Sequence, residues 1–173
     1  MIDGKCICIL IEEGFEDIEV VEPLRVLKDF GAKVLLINLV SRPTYRGKRG
    51  NAMVKIDFCA DEIKAGDFDA IIIPGGTVAD KMHLNNKIIN LLKEANDAGK
   101  VIAAISEGPQ LFIWADIAQG RRLTSLPSIA ADLKNAGADW VDESVVKDRN
   151  FITARRPADV PRFNRAIIDM LSD

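Results

Sequence analysis

Residues 101–105 read Val-Ile-Ala-Ala-Ile, an apolar run that stops at Ser106-Glu107, turns at Gly108-Pro109 and resumes after Gln110. Such a run leaves neither face of a strand polar. It needs cover on both sides, which a parallel sheet flanked by helices provides. The abrupt stop adds a second constraint. A strand, a sharp turn and a helix in immediate succession present one side chain at the strand's carboxyl end. This is the geometry of a nucleophile elbow beside a helix amino terminus that favours negative charge. The presented residue is Ser106, with Glu107 next to it.

The rest of the chain repeats the alternation. Lys5–Ile11 and Lys33–Val40 read as strands, and Ala70–Ile73 is a short apolar strand ending at Pro74-Gly75-Gly76. Between the first two strands, Ile18, Val21, Val26, Leu27 and Phe30 recur at helical spacing before Gly31. Asn86–Ala98 reads as a helix stopped by Gly99. Tyr45–Gly50 reads as a turn, and Met53–Phe58 alternates like an exposed strand. Trp140-Val141, Ser144–Lys147 and Asn150–Ala154 read as short strands, and Pro161–Leu171 as a final helix capped by Asp159. Ligands of open parallel sheets bind outside the strands' carboxyl ends. Three loops are expected to meet there: Glu12–Glu19, Pro74–Asp80 and Ser106–Gln110.

Composition narrows the function classes. The chain has 173 residues, 48% of them apolar and 28% charged, as expected of a globular domain. Its net charge of −3 carries no electrostatic footprint for nucleic acid. The basic run Arg42, Arg46, Lys48, Arg49 reads as a solvated loop. The amino terminus lacks the features of a cleavable leader, and Lys5–Ile11 is too short for a membrane span, so a cytoplasmic location is expected. Cys6, Cys8 and Cys59 have no framework spacing and read as structural thiols, with Cys6 and Cys8 on one side of a strand. His83 is the only histidine, so no metal site is expected.

The markers Gly14-Phe15-Glu16-Asp17-Ile18-Glu19, Gly47-Lys48-Arg49-Gly50, Phe68-Asp69-Ala70, Pro74-Gly75-Gly76 and Gly108-Pro109-Gln110 occur in order. Thr124–Ile129, Asn135–Ala138 and Arg155-Arg156-Pro157-Ala158-Asp159 follow. Through this set the chain strongly resembles the PfpI family of intracellular proteases, within the ThiJ/PfpI superfamily. The resemblance implies one domain over residues 1–173. Its expected fold is a flavodoxin-like three-layer sandwich with a mainly parallel sheet, of the class I glutamine amidotransferase type. It also implies a homo-oligomer, a dimer or a hexamer, with active sites near a subunit interface and no cofactor. Family activities include peptide hydrolysis, glyoxalase-type chemistry and deglycation, so a peptide or a small carbonyl compound is the expected ligand. Glu16 matches the glutamate that contacts the family's nucleophile, Gly76 the glycine whose amide helps form the oxyanion hole, and Asp80 a carboxylate that orients a neighbouring subunit's histidine.

The resemblance breaks where the chemistry resides. The family's elbow reads Ile-Cys-His-Gly-Pro; here Ser106 replaces the cysteine and Glu107 the histidine. A thiol ionises near neutrality, whereas a hydroxyl needs a base that removes its proton during attack. Two readings follow. In the first, this is a PfpI-like protease or amidase homologue, catalytically impaired, that keeps its pocket for binding or regulation. In the alternative it is an active serine-dependent hydrolase or glyoxalase/deglycase-type enzyme. Ser106 then attacks, Glu16 or Glu107 is the base, and the amides of Gly76 and Glu107 hold the oxyanion. His83 reads as a surface histidine on a helix, three residues past Asp80. Arg155 is expected to pair with carboxylates across an interface or to cap the last helix region, and Trp114 and Trp140 to be core or interface residues.

Overall fold

The computed structural model describes residues 1–173. The chain begins with β1 (Cys6–Leu10), α1 (Asp17–Asp29) and β2 (Lys33–Asn38). A small hairpin of β3 (Tyr45–Arg46) and β4 (Met53–Val54) follows, then β5 (Phe58–Cys59) and β6 (Ala70–Ile73). Next come α2 (Val78–Met82), α3 (Asn86–Asp97), β7 (Val101–Ile105) and α4 (Gln110–Trp114). The last third holds β8 (Arg122–Leu123), α5 (Ala130–Asn135), β9 (Asp139–Trp140), β10 (Val145–Asp148), β11 (Phe151–Ala154) and α6 (Val160–Ser172).

Seven strands form one sheet in the order β10-β11-β7-β6-β1-β2-β5. Every neighbouring pair is parallel except β10 with β11. The strands β6 and β7 are buried throughout, as their unbroken apolar sequences require. Helices α1 and α6 pack together on the sheet, and α2, α3, α4 and α5 form a second packed group. The fold is the flavodoxin-like sandwich expected from the sequence. Its winding reverses at β1, which has β2 on one side and β6 on the other. A crevice therefore opens beyond the carboxyl ends of β1 and β6, where open parallel sheets bind ligands.

Several local expectations change. Met53–Phe58 is not one strand: β4 ends at Val54, and Asp57 turns its carboxylate to the Leu36 N–H at 2.8 Å. Asp159 begins α6 but does not cap it; its carboxylate takes Arg155 at 3.2 Å. Arg155 also pairs with Asp142 at 3.0 Å, so both of its partners lie within the chain. The buried face of α1 carries Asp17, Glu19, Val20, Pro23 and Leu27, while Ile18 and Val21 point outward, 42% and 39% exposed. The apolar stripe expected at Ile18 and Val21 is therefore on the wrong side, and two acids lie on the inner face. No helix is long and apolar enough to cross a membrane.

Candidate active site at the carboxyl edge of the sheet

Three loops meet beyond β1, β6 and β7. Phe15 bridges to Gly76 and to Gly47. The Glu16 N–H donates to the Gly75 carbonyl at 3.3 Å, and the Thr77 N–H to Gly14 at 3.3 Å. Glycine is required where these loops touch. A methyl on Gly76 would lie 2.3 Å from the Gly14 oxygen, and Gly76 has φ +75°.

Ser106 follows β7 with φ 58°, a left-handed backbone that a non-glycine residue adopts only under local constraint. Two hydrogen bonds hold it: its N–H donates to Ala154 at 3.1 Å, and its carbonyl accepts from Leu126 at 3.0 Å. The expected elbow is present, but the helix behind it is short. The first amides of α4 donate to the carbonyls of Glu107, Gly108 and Pro109, so they are not free to stabilise an anion. The Glu107 N–H donates to no backbone carbonyl.

The Ser106 hydroxyl is buried, 3% exposed, and donates to Glu19 Oε1. The other Glu19 oxygen accepts the Gly75 N–H at 2.6 Å. Both bonds favour the ionised carboxylate. Burial outweighs them, with help from Glu107 and Glu16, and the Glu19 carboxyl is pushed up to about 7. Glu19 thus exchanges its proton near neutrality.

Glu16, the residue matched to this contact in sequence, lies elsewhere. It precedes α1 with extended backbone, and its carboxylate faces Lys48 at 2.8 Å and Arg49 at 2.5 Å. Glu19, one helical turn further on, points inward to Ser106. Lys48 and Arg49 are accordingly more than a solvated run: each is ion-paired, on a turn that Asp17 fixes. Asp17 accepts the N–H groups of Arg49, Asn51 and Ala52, each at 2.9 Å. Gly47 makes room for it, since a methyl there would meet the Asp17 carboxylate at 2.4 Å.

Glu107 turns back over the Pro-Gly-Gly turn. Its Oε2 accepts the Gly76 N–H at 3.0 Å. A methyl on Gly75 would lie 2.5 Å from this oxygen and 2.6 Å from Glu19 Oε2, so the two carboxylates flank one glycine. Glu107 makes no ion pair within the chain. Asp80 is exposed on α2, away from these contacts. His83 follows α2, with its ring against half-exposed Trp114 at 4.4 Å between centroids and its Nδ1 on the Asp80 carbonyl, whereas the Ser106 hydroxyl bonds Glu19. Trp140 is half-buried and donates its indole N–H to Ser125 at 2.9 Å. Burial pushes the Cys8 thiol up, keeping it protonated and inert. No group of three or more His, Cys, Asp or Glu residues is arranged to hold a metal ion.

Comparison with known proteins places the chain in a lineage. Residues 5–170 match the model of the DJ-1/PfpI family. The chain is 39% identical to protein/nucleic acid deglycase 2 of Escherichia coli, over 97% of this chain and 98% of that one. It is 34% identical to deglycase PfpI of Pyrococcus furiosus, covering 95% and 98%. Among solved structures, a two-domain protein of Anabaena variabilis with DJ-1/ThiJ/PfpI-like and ferritin-like domains superposes with a TM-score of 0.95 at 39% identity. That match covers 97% of this chain and 48% of the two-domain protein. Drosophila melanogaster DJ-1beta superposes with a TM-score of 0.89 at 30% identity, covering 96% and 90%. An elbow at the edge of a reversing parallel sheet, set in a sequence alignable almost end to end with these proteins, makes the chain a member of the DJ-1/PfpI family.

Proposed function

We propose that this chain is a deglycase-type enzyme that acts on carbonyl adducts through Ser106. The observation that carries the reading is the Ser106 hydroxyl donating to Glu19, a carboxyl that ionises at about 7. A base poised near the working pH has the best combination of correct protonation and driving force. The Ser106 oxygen adds to the substrate's carbonyl carbon as Glu19 takes its proton. The carbonyl's electron pair moves to its oxygen, which the unoccupied Glu107 N–H receives. Gly76 supplies a second N–H once the Glu107 carboxylate leaves it. In an adduct whose carbinol and carbonyl have interchanged by proton transfer, the attacked carbon carries the nitrogen. The carbonyl re-forms, the C–N bond breaks, and the electron pair leaves on nitrogen, which takes the proton from Glu19. Water activated by Glu19 then hydrolyses the Ser106 ester to a hydroxy acid and frees the hydroxyl. Glu19, not Glu16 or Glu107, is the base in this account. Relatives named deglycases at 34–39% identity favour carbonyl adducts over peptides as substrates.

One observation favours the binding-only reading: Glu107 covers the Gly76 amide that a reacting oxyanion needs. Recovery of free N-acetylarginine from its methylglyoxal adduct separates the two. Turnover that disappears in Ser106→Ala supports the enzyme; adduct binding without turnover supports the binding protein. We further propose that the chain forms a homo-oligomer and that exposed Asp80 lies at a subunit contact.

A further inference from the structure

Ser106 cannot hold its left-handed backbone unaided, since a side chain at φ 58° persists only where its surroundings impose it. Its two peptide groups are clamped from different sides. The Ala154 carbonyl, which takes the Ser106 N–H at 3.1 Å, continues the ladder between β7 and β11. The Leu126 N–H, which reaches the Ser106 carbonyl at 3.0 Å, belongs to no strand, because β8 ends at Leu123. Side chains fix this segment instead. The Thr124 N–H donates to the Thr153 hydroxyl of β11 at 3.0 Å. The Ser125 hydroxyl donates to the Leu126 carbonyl at 2.9 Å and accepts the Trp140 indole N–H at 2.9 Å. Ser125 is fully buried, so water does not compete for these bonds. Their direction is fixed as well. An indole N–H can only donate, so the one hydroxyl proton of Ser125 is left for Leu126. Pro127 adds a bias toward the extended backbone that Leu126 shows, with φ −54° and ψ 130°.

We propose that Ser125 and Trp140 are positioning residues for the Ser106 elbow: their hydrogen-bond chain seats Leu126, whose N–H holds the Ser106 carbonyl. The inference rests on the reading of Ser106 as the nucleophile. Neither residue touches the reacting atoms. The Ser106 hydroxyl lies on Glu19 because the backbone turns at this one residue. If Leu126 drifts, the Ser106 carbonyl loses its donor and the backbone relaxes toward the ordinary right-handed or extended regions. The hydroxyl then swings away from its base. Such a loss of alignment acts on the chemical step and not on the affinity for substrate. The chain of bonds ends near the surface. Trp140 is half-buried on β9, with the Lys134 ammonium of α5 at 5.5 Å from its ring centre. Phenylalanine at this position keeps an aromatic ring beneath Lys134 and deletes the N–H. The hydrogen bond can therefore be removed without emptying the site.

The test reads the hydrogen bond and the reaction separately. The first readout is the NMR coupling across the hydrogen bond between the Leu126 nitrogen and the Ser106 carbonyl carbon. It should be present in the native protein and weaken in Trp140→Phe and in Ser125→Ala. Hydrogen exchange should quicken at Leu126 and stay unchanged in β6 and β7. An unchanged coupling in both variants, or exchange accelerated equally across the sheet, overturns the inference. The second readout is kcat and KM for recovery of free N-acetylarginine from its methylglyoxal adduct. Each variant should lower kcat about tenfold or more and leave KM near its native value. Both act through one chain of bonds, so the double variant should be no slower than Ser125→Ala. A native kcat in both single variants, or losses that multiply in the double, overturns the inference. Native turnover in Ser106→Ala would instead overturn the reading of Ser106, while the coupling still decides whether Ser125 and Trp140 seat Leu126.

Discussion

Glu19 imposes two pH dependences of opposite sense. Its carboxyl is raised from an ordinary 4.5 to about 7, so the folded protein holds a proton there that the unfolded chain has released. Between those values the native state binds more protons, and stability falls as pH rises. The contribution is greatest below about 4.5, is lost through about 7, and amounts to about 3 kcal/mol at most. Denaturant titrations of wild type and Glu19→Gln at several pH values should show this slope in the native protein alone. Activity runs the other way, because the base works when ionised: kcat/KM should rise with pH to a plateau, with its midpoint about 7. Glu19→Gln should lower kcat about 10²-fold or more and remove that limb. Ser106, Glu107 and Gly76 could be placed from the sequence because turn chemistry puts them at strand ends. Glu19 lies inside the same motif, but the resemblance points to Glu16. Two acids three apart share a helical face, and helical period alone does not separate them. They part because Glu16 precedes the helix with extended backbone and faces the cations of the next loop.

The hairpin of β3 and β4 shows what a single buried acid does for a whole element. Two-residue strands carry little stability of their own. The turn between them keeps its shape because Asp17 accepts three of its N–H groups. Replacing Asp17 with alanine would leave those donors without their partner. A loss of about 2–4 kcal/mol is expected, measurable as a lower denaturant midpoint with an unchanged slope. Loosening the turn should also free Lys48 and Arg49 from Glu16, read as faster hydrogen exchange at 47–52. The strands β6 and β7 were legible to the residue because apolar runs bounded by turn residues allow little else. The 53–59 region was not, because Asp57 breaks its alternation with a side-chain bond to β2 that no local pattern reveals. In α1, the spacing of Val20, Pro23 and Leu27 was the available signal for the inner face. The apolar Ile18 and Val21 obscured it.

At the scale of the molecule, those same residues become informative. Ile18 and Val21 stand outward, 42% and 39% exposed. Beside them a groove of about 420 Å³ runs between α1 and α6, lined by Val26, Phe30, Val160, Pro161 and Ile168 among others. We expect a second copy to cover this face, since an apolar surface of this kind is usual at interfaces between subunits. Light scattering should give a mass that is a multiple of the 19.0 kDa chain. Ile18→Glu, or Asp80→Lys at the contact assigned to α2, should lower it. A monomer at micromolar concentration would contradict the proposal.

Ser106 is proposed to attack with Glu19 as its base. The direct test is kcat/KM for recovery of free N-acetylarginine from its methylglyoxal adduct, followed from about pH 5 to 9 in wild type and Ser106→Ala. A single rising limb with its midpoint about 7 is expected in the native protein, with loss of turnover in the variant. A Ser106→Ala protein that matches the native rate across that range would contradict the proposal.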